Sequence, residues 1–123
     1  EVMANSHDLQ QVLFNLIKNS CQAMQGAGIG AGVIKIYQET KIVHDGLNEK
    51  SKIYFHIEDN GPGFSEVILK NIFQPFMTTK EHGEGTGLGL YLSKKLMNNM
   101  NADLQITASS EKGAKISLVF DQI

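Results

Sequence analysis

Residues 83–89 read GEGTGLG and lead directly into a helical pattern that begins near Leu88. Glycines expose backbone N–H groups, and a helix start carries the positive end of the helix dipole, so this stretch can cradle a polyphosphate. Four glycines in seven residues would weaken the fold for no gain if the loop were inert. The GxxxxGKS/T pattern of a Walker A loop is absent. We predict an anion-binding loop here, followed by a helix over residues 88–99.

A second helix is predicted near the start of the chain, over residues 6–24. Its apolar residues recur at three- and four-residue spacing and form one face, as in a helix that covers a core. Asn5 or Ser6 can cap its first turn, and the sequence GAGIGAG at residues 26–32 ends it. The apolar face consists of Leu9, Val12, Leu13, Leu16, Ile17 and Met24.

Alternating sequences between and after these helices predict four strands in two hairpins. The order helix, hairpin, short helix, loop, helix, hairpin favours an α+β fold. We predict a two-layer α/β sandwich with a mixed, mostly antiparallel sheet, covered on one face by about three helices. The strands are predicted at residues 33–43, 52–58, 103–108 and 114–120, the turns at 45–49 and 110–113, the short helix at 65–71 and the loop at 78–87.

The bulk properties indicate a single domain over residues 1–123. The formal net charge is −2, so no nucleic-acid partner is indicated, and local geometry must hold any bound anion. The one cysteine, Cys21, cannot form a disulfide within the chain, which fits a reducing compartment. We expect Cys21 to be a small packed residue of the first helix. No apolar run has the length of a membrane span.

Three amides form a stripe on the first predicted helix. Asn15, Asn19 and Gln22 lie at i, i+4 and i+7, and the stripe borders the apolar face, where a ligand can cover it. Amide oxygens suit Mg²⁺, and asparagine is a mediocre helix former, which suggests a reason beyond helix propensity. Amides that are merely solvated or half-buried fit the same pattern, so the residues alone leave both interpretations open.

The sequence DNGPG at residues 59–63 follows the second predicted strand. The carboxylate of Asp59 can accept a hydrogen bond from an exocyclic amine such as that of adenine. Gly61 and Gly63 allow the backbone to approach a flat ring. An ordinary turn is the alternative, because such sequences are common in turns.

Two further features are less specific. Phe73 and Phe76 are expected to anchor a loop that continues into Thr78, Thr79 and Lys80. Lys80 can reach a phosphate, although a solvated lysine fits equally well. The four histidines have no metal-ligand spacing with one another or with the cysteine, and we expect a structural role for the histidine at position 56.

Four motifs occur in order along the chain: NLIKNSCQAM at 15–24, DNGPGF at 59–64, IFQPFMTTK at 72–80 and GEGTGLGL at 83–90. They resemble the N, G1, F and G2 boxes of the histidine kinase ATP-binding domain, which belongs to the Bergerat-fold superfamily that also includes gyrase and MutL. The resemblance covers nearly the whole chain. The QAM sequence and the short loop before the last box are similar to the nitrogen-regulator-like branch of these kinases.

The resemblance implies ATP and Mg²⁺ as ligands and assigns a role to each motif. Asn19 would bind Mg²⁺, Asn15 would support the metal and phosphate region, and Asp59 would read adenine. Residues 74–86 would form a lid over ATP. The other implied cofactor-binding residues are Gly61, Gly63, Phe76, Thr79, Lys80, Gly85, Thr86, Gly87, Leu88 and Gly89.

Two positions depart from the family pattern. Members often have a threonine after the glycine of the last hairpin, where it helps to bind adenine through water, but Ala114 follows Gly113 here. Many kinases have a lysine or arginine where Gln22 stands. Lys18 or Lys80 would have to supply that charge instead.

The position one turn before Asn19 separates kinases from ATPases in this superfamily. ATPases, and some Ser/Thr-type kinases, have a glutamate there that acts as a base. Asn15 cannot take a proton, which favours transfer of the γ-phosphate to a histidine, since phosphoryl transfer depends chiefly on positioning and charge neutralisation. An ATPase, or an ATP-binding module without phosphotransfer, is the alternative.

The resemblance also implies partners. None of the four histidines is followed by an acceptor-type sequence, so the phosphorylated histidine is expected on a separate dimerisation domain of the same protein, with a response regulator receiving the phosphate later. We expect this fragment to be a cytoplasmic monomer. Its parent would be a homodimer that can be anchored in the inner membrane.

Overall fold

A computed structural model describes residues 4–64, 89–108 and 113–122. Within these residues a four-stranded sheet has the order β1-β2-β4-β3, and every neighbouring pair is antiparallel. The short helix predicted at 65–71 and the loop predicted at 78–87 lie outside the described residues. The elements are α1 (Ser6–Gly26), β1 (Ile34–Asp45), β2 (Asn48–Asp59), α2 (Gly89–Asn99), β3 (Asp103–Ala108) and β4 (Ala114–Asp121).

Helix α1 begins and ends where local chemistry satisfies its terminal backbone groups. The Asn5 side chain accepts a hydrogen bond from the Asp8 N–H at 3.1 Å, which caps the first turn. At the other end, Gly28 has a φ of 71°, its N–H donates to the Gln25 carbonyl, and the Ile29 N–H donates to the Met24 carbonyl. These two bonds form a Schellman motif. The helix therefore extends two residues beyond the predicted end at residue 24.

The first hairpin is longer than the sequence predicted. Asp45 pairs with Asn48, so the connection contains only Gly46 and Leu47, and the predicted turn over 45–49 is wrong in its extent. Gly46 has a φ of 63°, a conformation that glycine adopts readily at the first position of a two-residue hairpin turn. The polar residues Asn48–Lys50 pair in the ladder despite their low strand propensity.

The core lies between one face of the sheet and the two helices. Val12 and Leu16 of α1 and Met97 of α2 meet a row of alternate strand residues, as expected for a half-covered antiparallel sheet. This row consists of Ile57 of β2, Leu104 of β3, and Ile116, Leu118 and Phe120 of β4. The two-layer α/β sandwich is thus confirmed, with two of the expected helices among the described residues.

The other face of the sheet has a polar network that connects three strands. The side chain of His56 is buried, with Nε2 2.8 Å from Glu39 Oε2 and Nδ1 2.7 Å from Ser117 Oγ. The hydrogen bond from His56 lowers the pKa of Glu39, so this carboxylate is ionised at neutral pH and Nε2 carries the proton. The structural role expected for His56 is consistent with these contacts.

Two remaining expectations concern the exposure of Cys21 and the presence of membrane-spanning helices. Cys21 is exposed, so the prediction that it is packed in the core is wrong. It lies one position beyond the buried Ser20 and therefore points about 100° away from the core face of the helix. Neither helix in the described part of the chain is long and apolar enough to cross a membrane.

Candidate functional site

Asp59 is the last residue of β2, and its carboxylate is held by two backbone donors. The side-chain Oδ1 accepts a hydrogen bond from the Gly61 N–H at 2.9 Å and another from the Ala114 N–H at 3.2 Å. The residue is only 9% exposed. Neither of these donors contacts Oδ2. A buried carboxylate fixed through one oxygen can present its second oxygen to a ligand donor in a defined direction.

Glycines make the close approach of β4 to this turn possible. Gly113 has a φ of 142°, and a Cβ atom on it would overlap the carbonyl oxygen of Asp59. Gly63 has a φ of 75°, and a Cβ atom there would lie 2.8 Å from the carbonyl oxygen of Gly113. The start of β4 therefore lies directly against the turn at residues 59–63.

Met24 connects the same turn to helix α1. Its Cγ would lie 3.2 Å from a Cβ atom on Gly61, and its Sδ would lie 2.9 Å from a Cβ atom on Gly32. Gly61 and Gly32 thus leave room for this buried, adaptable thioether. Asn19 lies five residues earlier on α1, which corresponds to about 7.5 Å along the helix axis.

Asn19 lies beside the first residue of α2. A Cβ atom on Gly89 would be 3.5 Å from Asn19 Nδ2 and 3.8 Å from Asn19 Oδ1. Asn15, one turn earlier, accepts a hydrogen bond from Gln11 Nε2 at 3.1 Å. Both asparagines are half-buried. The structure therefore places one amide of the stripe, Asn19, next to the first residue of α2, the end of a helix where the dipole favours an anion.

The described residues bring together part of the predicted site. Asp59, Gly61 and Gly63 form one group with the start of β4, and Asn19 forms a second group with Gly89. Asn15 is described one turn before Asn19. The remaining predicted site residues, Phe76, Thr79, Lys80, Gly85, Thr86, Gly87 and Leu88, lie outside the described residues, as do the whole predicted lid and all of the GEGTGLG loop except Gly89.

Four contributions were not identified from the sequence as parts of the site. These are the close approach of Gly113, the backbone N–H of Ala114, the side chain of Met24 and the side chain of Asn60. The departure at Ala114 concerned its missing hydroxyl, whereas its contribution comes from the backbone. Only Gly113 had a usable signal, namely a glycine directly before a strand that otherwise alternates.

The Asp59 group lies at the end of the sheet where β2 finishes and β4 begins. The chain matches a family model over residues 4–122. The chain belongs to the family described as histidine kinase-, DNA gyrase B-, and HSP90-like ATPase. The resemblance noted in the sequence is thereby confirmed, whereas its assignment to the nitrogen-regulator-like branch stays a prediction.

Individual relatives are named as a histidine-protein kinase of signal transduction and as a two-component sensor. The chain is 36% identical over 118 residues to the signal transduction histidine-protein kinase AtoS of Escherichia coli and 34% identical over 111 residues to the two-component sensor PprA of Pseudomonas aeruginosa. These matches cover 96% and 89% of the chain but only 17% and 11% of the two relatives.

A solved structure has the same fold. The catalytic domain of the histidine kinase ThkA superposes with a TM-score of 0.72 at 28% identity. The superposition covers 96% of this chain and 69% of that domain.

Proposed function

We propose that this chain binds Mg·ATP and donates the γ-phosphate to a histidine on a separate dimerisation domain of the same protein. The observation that carries the proposal is the carboxylate of Asp59, which is buried and oriented by the N–H groups of Gly61 and Ala114. Its Oδ2 would accept a hydrogen bond from the exocyclic amine of adenine. The neighbouring Gly61 and Gly63 would allow the purine ring to approach the backbone.

The second residue group would bind the metal and the phosphates. Asn19 offers an amide oxygen beside the first residue of α2, and Mg²⁺ prefers oxygen ligands while it retains water and phosphate oxygens. Asn15 would support this region from one turn away. The N-terminal end of α2, together with the preceding glycine-rich sequence of residues 83–89, would hold the negatively charged phosphates.

The residue at position 15, one turn before Asn19, favours transfer of the phosphate to a histidine over its transfer to water. Asn15 stands where a general base would be needed to activate water, and an amide does not accept a proton at neutral pH. An imidazole needs little activation as a nucleophile, so a domain that positions ATP and neutralises its charge is sufficient. The proposal that the parent protein is a sensor kinase also agrees with the relatives AtoS and PprA, each of which is several times longer than this chain. Dimerisation, a response regulator and a membrane anchor would belong to the rest of such a protein.

Calorimetric titration of Mg·ATP against wild type, Asp59→Ala and Asn19→Ala tests the binding site. We expect Asp59→Ala to abolish binding, because the amine of adenine loses its acceptor. Asn19→Ala should bind ATP with little dependence on Mg²⁺. Asp121→Ala is the matched control, because Asp121 is an exposed carboxylate at the opposite end of β2 and β4. If both site variants bind as the wild type does, the assignment of the site is wrong.

Phosphotransfer is tested separately by adding the histidine-containing domain of the parent protein to the chain and radiolabelled ATP. We expect label on the acceptor histidine and little free phosphate. Steady release of phosphate without labelling would indicate an ATPase. Binding without either product would indicate an ATP-binding module.

A further inference from the structure

The side chain of Asn60 connects the Asp59 turn to the segment that precedes β1. Its Oδ1 accepts a hydrogen bond from the Val33 N–H at 2.8 Å, and its Nδ2 donates to the Ala31 carbonyl at 3.0 Å. The Asn60 backbone N–H also donates to the Val33 carbonyl at 3.2 Å. Asn60 is exposed, yet three hydrogen bonds hold it in one conformation, at the cost of its conformational freedom.

These bonds act on the one residue that separates Asp59 from Gly61. The Gly61 N–H is one of the two donors to Asp59 Oδ1, so the backbone angles of Asn60 determine whether that donor reaches the carboxylate. Gly113 is also close to Asn60, because a Cβ atom on Gly113 would lie 3.5 Å from the Asn60 Cα. Asn60 is therefore hydrogen-bonded to residues 31 and 33 and lies close to the start of β4.

We infer that Asn60 is a positioning residue for base recognition, which acts through Asp59 and Gly61 without touching the nucleotide. The hydrogen bonds of Asn60 to residues 31 and 33 hold its backbone in place, and with it the Gly61 N–H that donates to the Asp59 carboxylate. This inference rests on the proposed binding of adenine by Asp59. It adds that selectivity for the 6-amino group of the base depends on a side chain whose hydrogen bonds are made to Val33 and Ala31.

The test compares two nucleotides that differ only in the amine that Asp59 would bind. These are ATP and purine riboside triphosphate, which lacks the 6-amino group and retains the rest of the purine nucleotide. Binding of each, with Mg²⁺, is measured by calorimetry for wild type and Asn60→Ala. We expect Asn60→Ala to weaken ATP binding by about tenfold, a fraction of the effect of losing a hydrogen bond to a charged group. Binding of purine riboside triphosphate should change by less than about twofold.

A second variant tests the same contact from the other side. Val33→Pro removes the N–H that donates to Asn60 Oδ1 and leaves the sequence of residues 59–63 unchanged. Val33 directly precedes β1, so proline there lies outside the paired residues of the ladder. We expect the same preferential loss of ATP binding, by a smaller factor of about threefold. Asn98→Ala, an exposed asparagine of α2, is the matched control and should bind both nucleotides as the wild type does. Denaturant unfolding of each variant establishes that it is folded at the titration temperature.

The outcomes separate this inference from the proposed function. If Asn60→Ala and Val33→Pro weaken both nucleotides by the same factor, or neither, Asn60 has only a structural role and the inference is overturned. If wild type binds ATP more tightly than purine riboside triphosphate and Asp59→Ala loses ATP binding, the proposed base contact stands whatever Asn60→Ala does. If wild type binds neither nucleotide, the proposed function itself fails.

Discussion

Gly113 is the residue at which the backbone geometry of the site tolerates least change. Its φ of 142° is unfavourable for any residue with a side chain, and a Cβ atom would overlap the carbonyl oxygen of Asp59. A substitution must therefore move β4 away from the Asp59 turn. The Ala114 N–H, the second donor to Asp59 Oδ1, would move with it.

We expect Gly113→Ala to lower the free energy of unfolding by at least about 2 kcal/mol, from backbone strain and the steric overlap together. Gly30→Ala is the control, because a Cβ atom on Gly30 would meet nothing within 4 Å. It should change stability by less than about 1 kcal/mol in either direction. Urea unfolding followed by circular dichroism measures both. Equal stabilities for the two variants would contradict the close approach of β4 to Asp59.

At the scale of elements, β1, β2 and β4 are joined on their outer face by side chains as well as by their ladders. The Tyr37 hydroxyl donates to Glu58 Oε1 at 2.5 Å, and Lys115 Nζ lies 3.7 Å from the same oxygen. The hydrogen bond to Glu58, with lesser contributions from burial and from the charges of Glu58 and Glu39, raises the pKa of Tyr37 to about 12. This phenol therefore keeps its proton in the folded state well above its usual pKa.

A raised pKa in the folded state gives a signed prediction for alkaline stability. Below about pH 10 the phenol is protonated in both states, so its contribution to stability is complete. Between about pH 10 and about pH 12 the unfolded chain loses the proton first, and stability falls. We expect the urea midpoint of wild type to fall more steeply across this range than that of Tyr37→Phe. Parallel curves would show that the hydrogen bond to Glu58 does not hold the proton.

The elements also show what local sequence can and cannot predict. The apolar spacing of α1 and the alternation of β3 and β4 predicted these elements to within about two residues. The signals used, namely apolar periodicity and capping residues, depend only on residues that are close in sequence. The hairpin of β1 and β2 was predicted too short, because residues 45–49 have turn-forming sequences and the pairing partner across the ladder decides their conformation. The prediction for Cys21 was wrong because cysteine is a residue type that is usually buried, whereas the position of Cys21 on the helix directs its side chain outward.

At the scale of the whole molecule, a hydrophobic core connects α1 and α2 to the sheet among the described residues, and Leu16 is a fully buried member of it. We expect Leu16→Ala to reduce the free energy of unfolding by about 2 to 5 kcal/mol, through lost burial and the cavity that remains. Leu47→Ala removes the same atoms from the exposed turn between β1 and β2 and should have an effect within about 0.5 kcal/mol. Chemical denaturation measures the pair. Similar losses would contradict the placement of the core.

The candidate site was predictable in its residue types and less so in its geometry. Asp59, Asn19 and the glycines belong to recognisable motifs, so their chemistry could be inferred from the sequence. The backbone donor of Ala114, the packing of Met24 and the bonds of Asn60 to residues 31–33 depend on which distant segments become neighbours. No local pattern encodes those contacts, because they arise from the order of strands in the sheet.

That strand order has a consequence for shortened forms of the chain. β4 lies between β2 and β3, so a proteolytic fragment or nascent chain that stops before Gly113 leaves β3 without its described strand partner. Such a product still contains Asp59 and Asn19 but lacks the Ala114 donor and the strand that pairs with β2 beside Ile57. We therefore expect a chain that ends before Gly113 to lose the proposed nucleotide binding, although it retains Asp59 and Asn19.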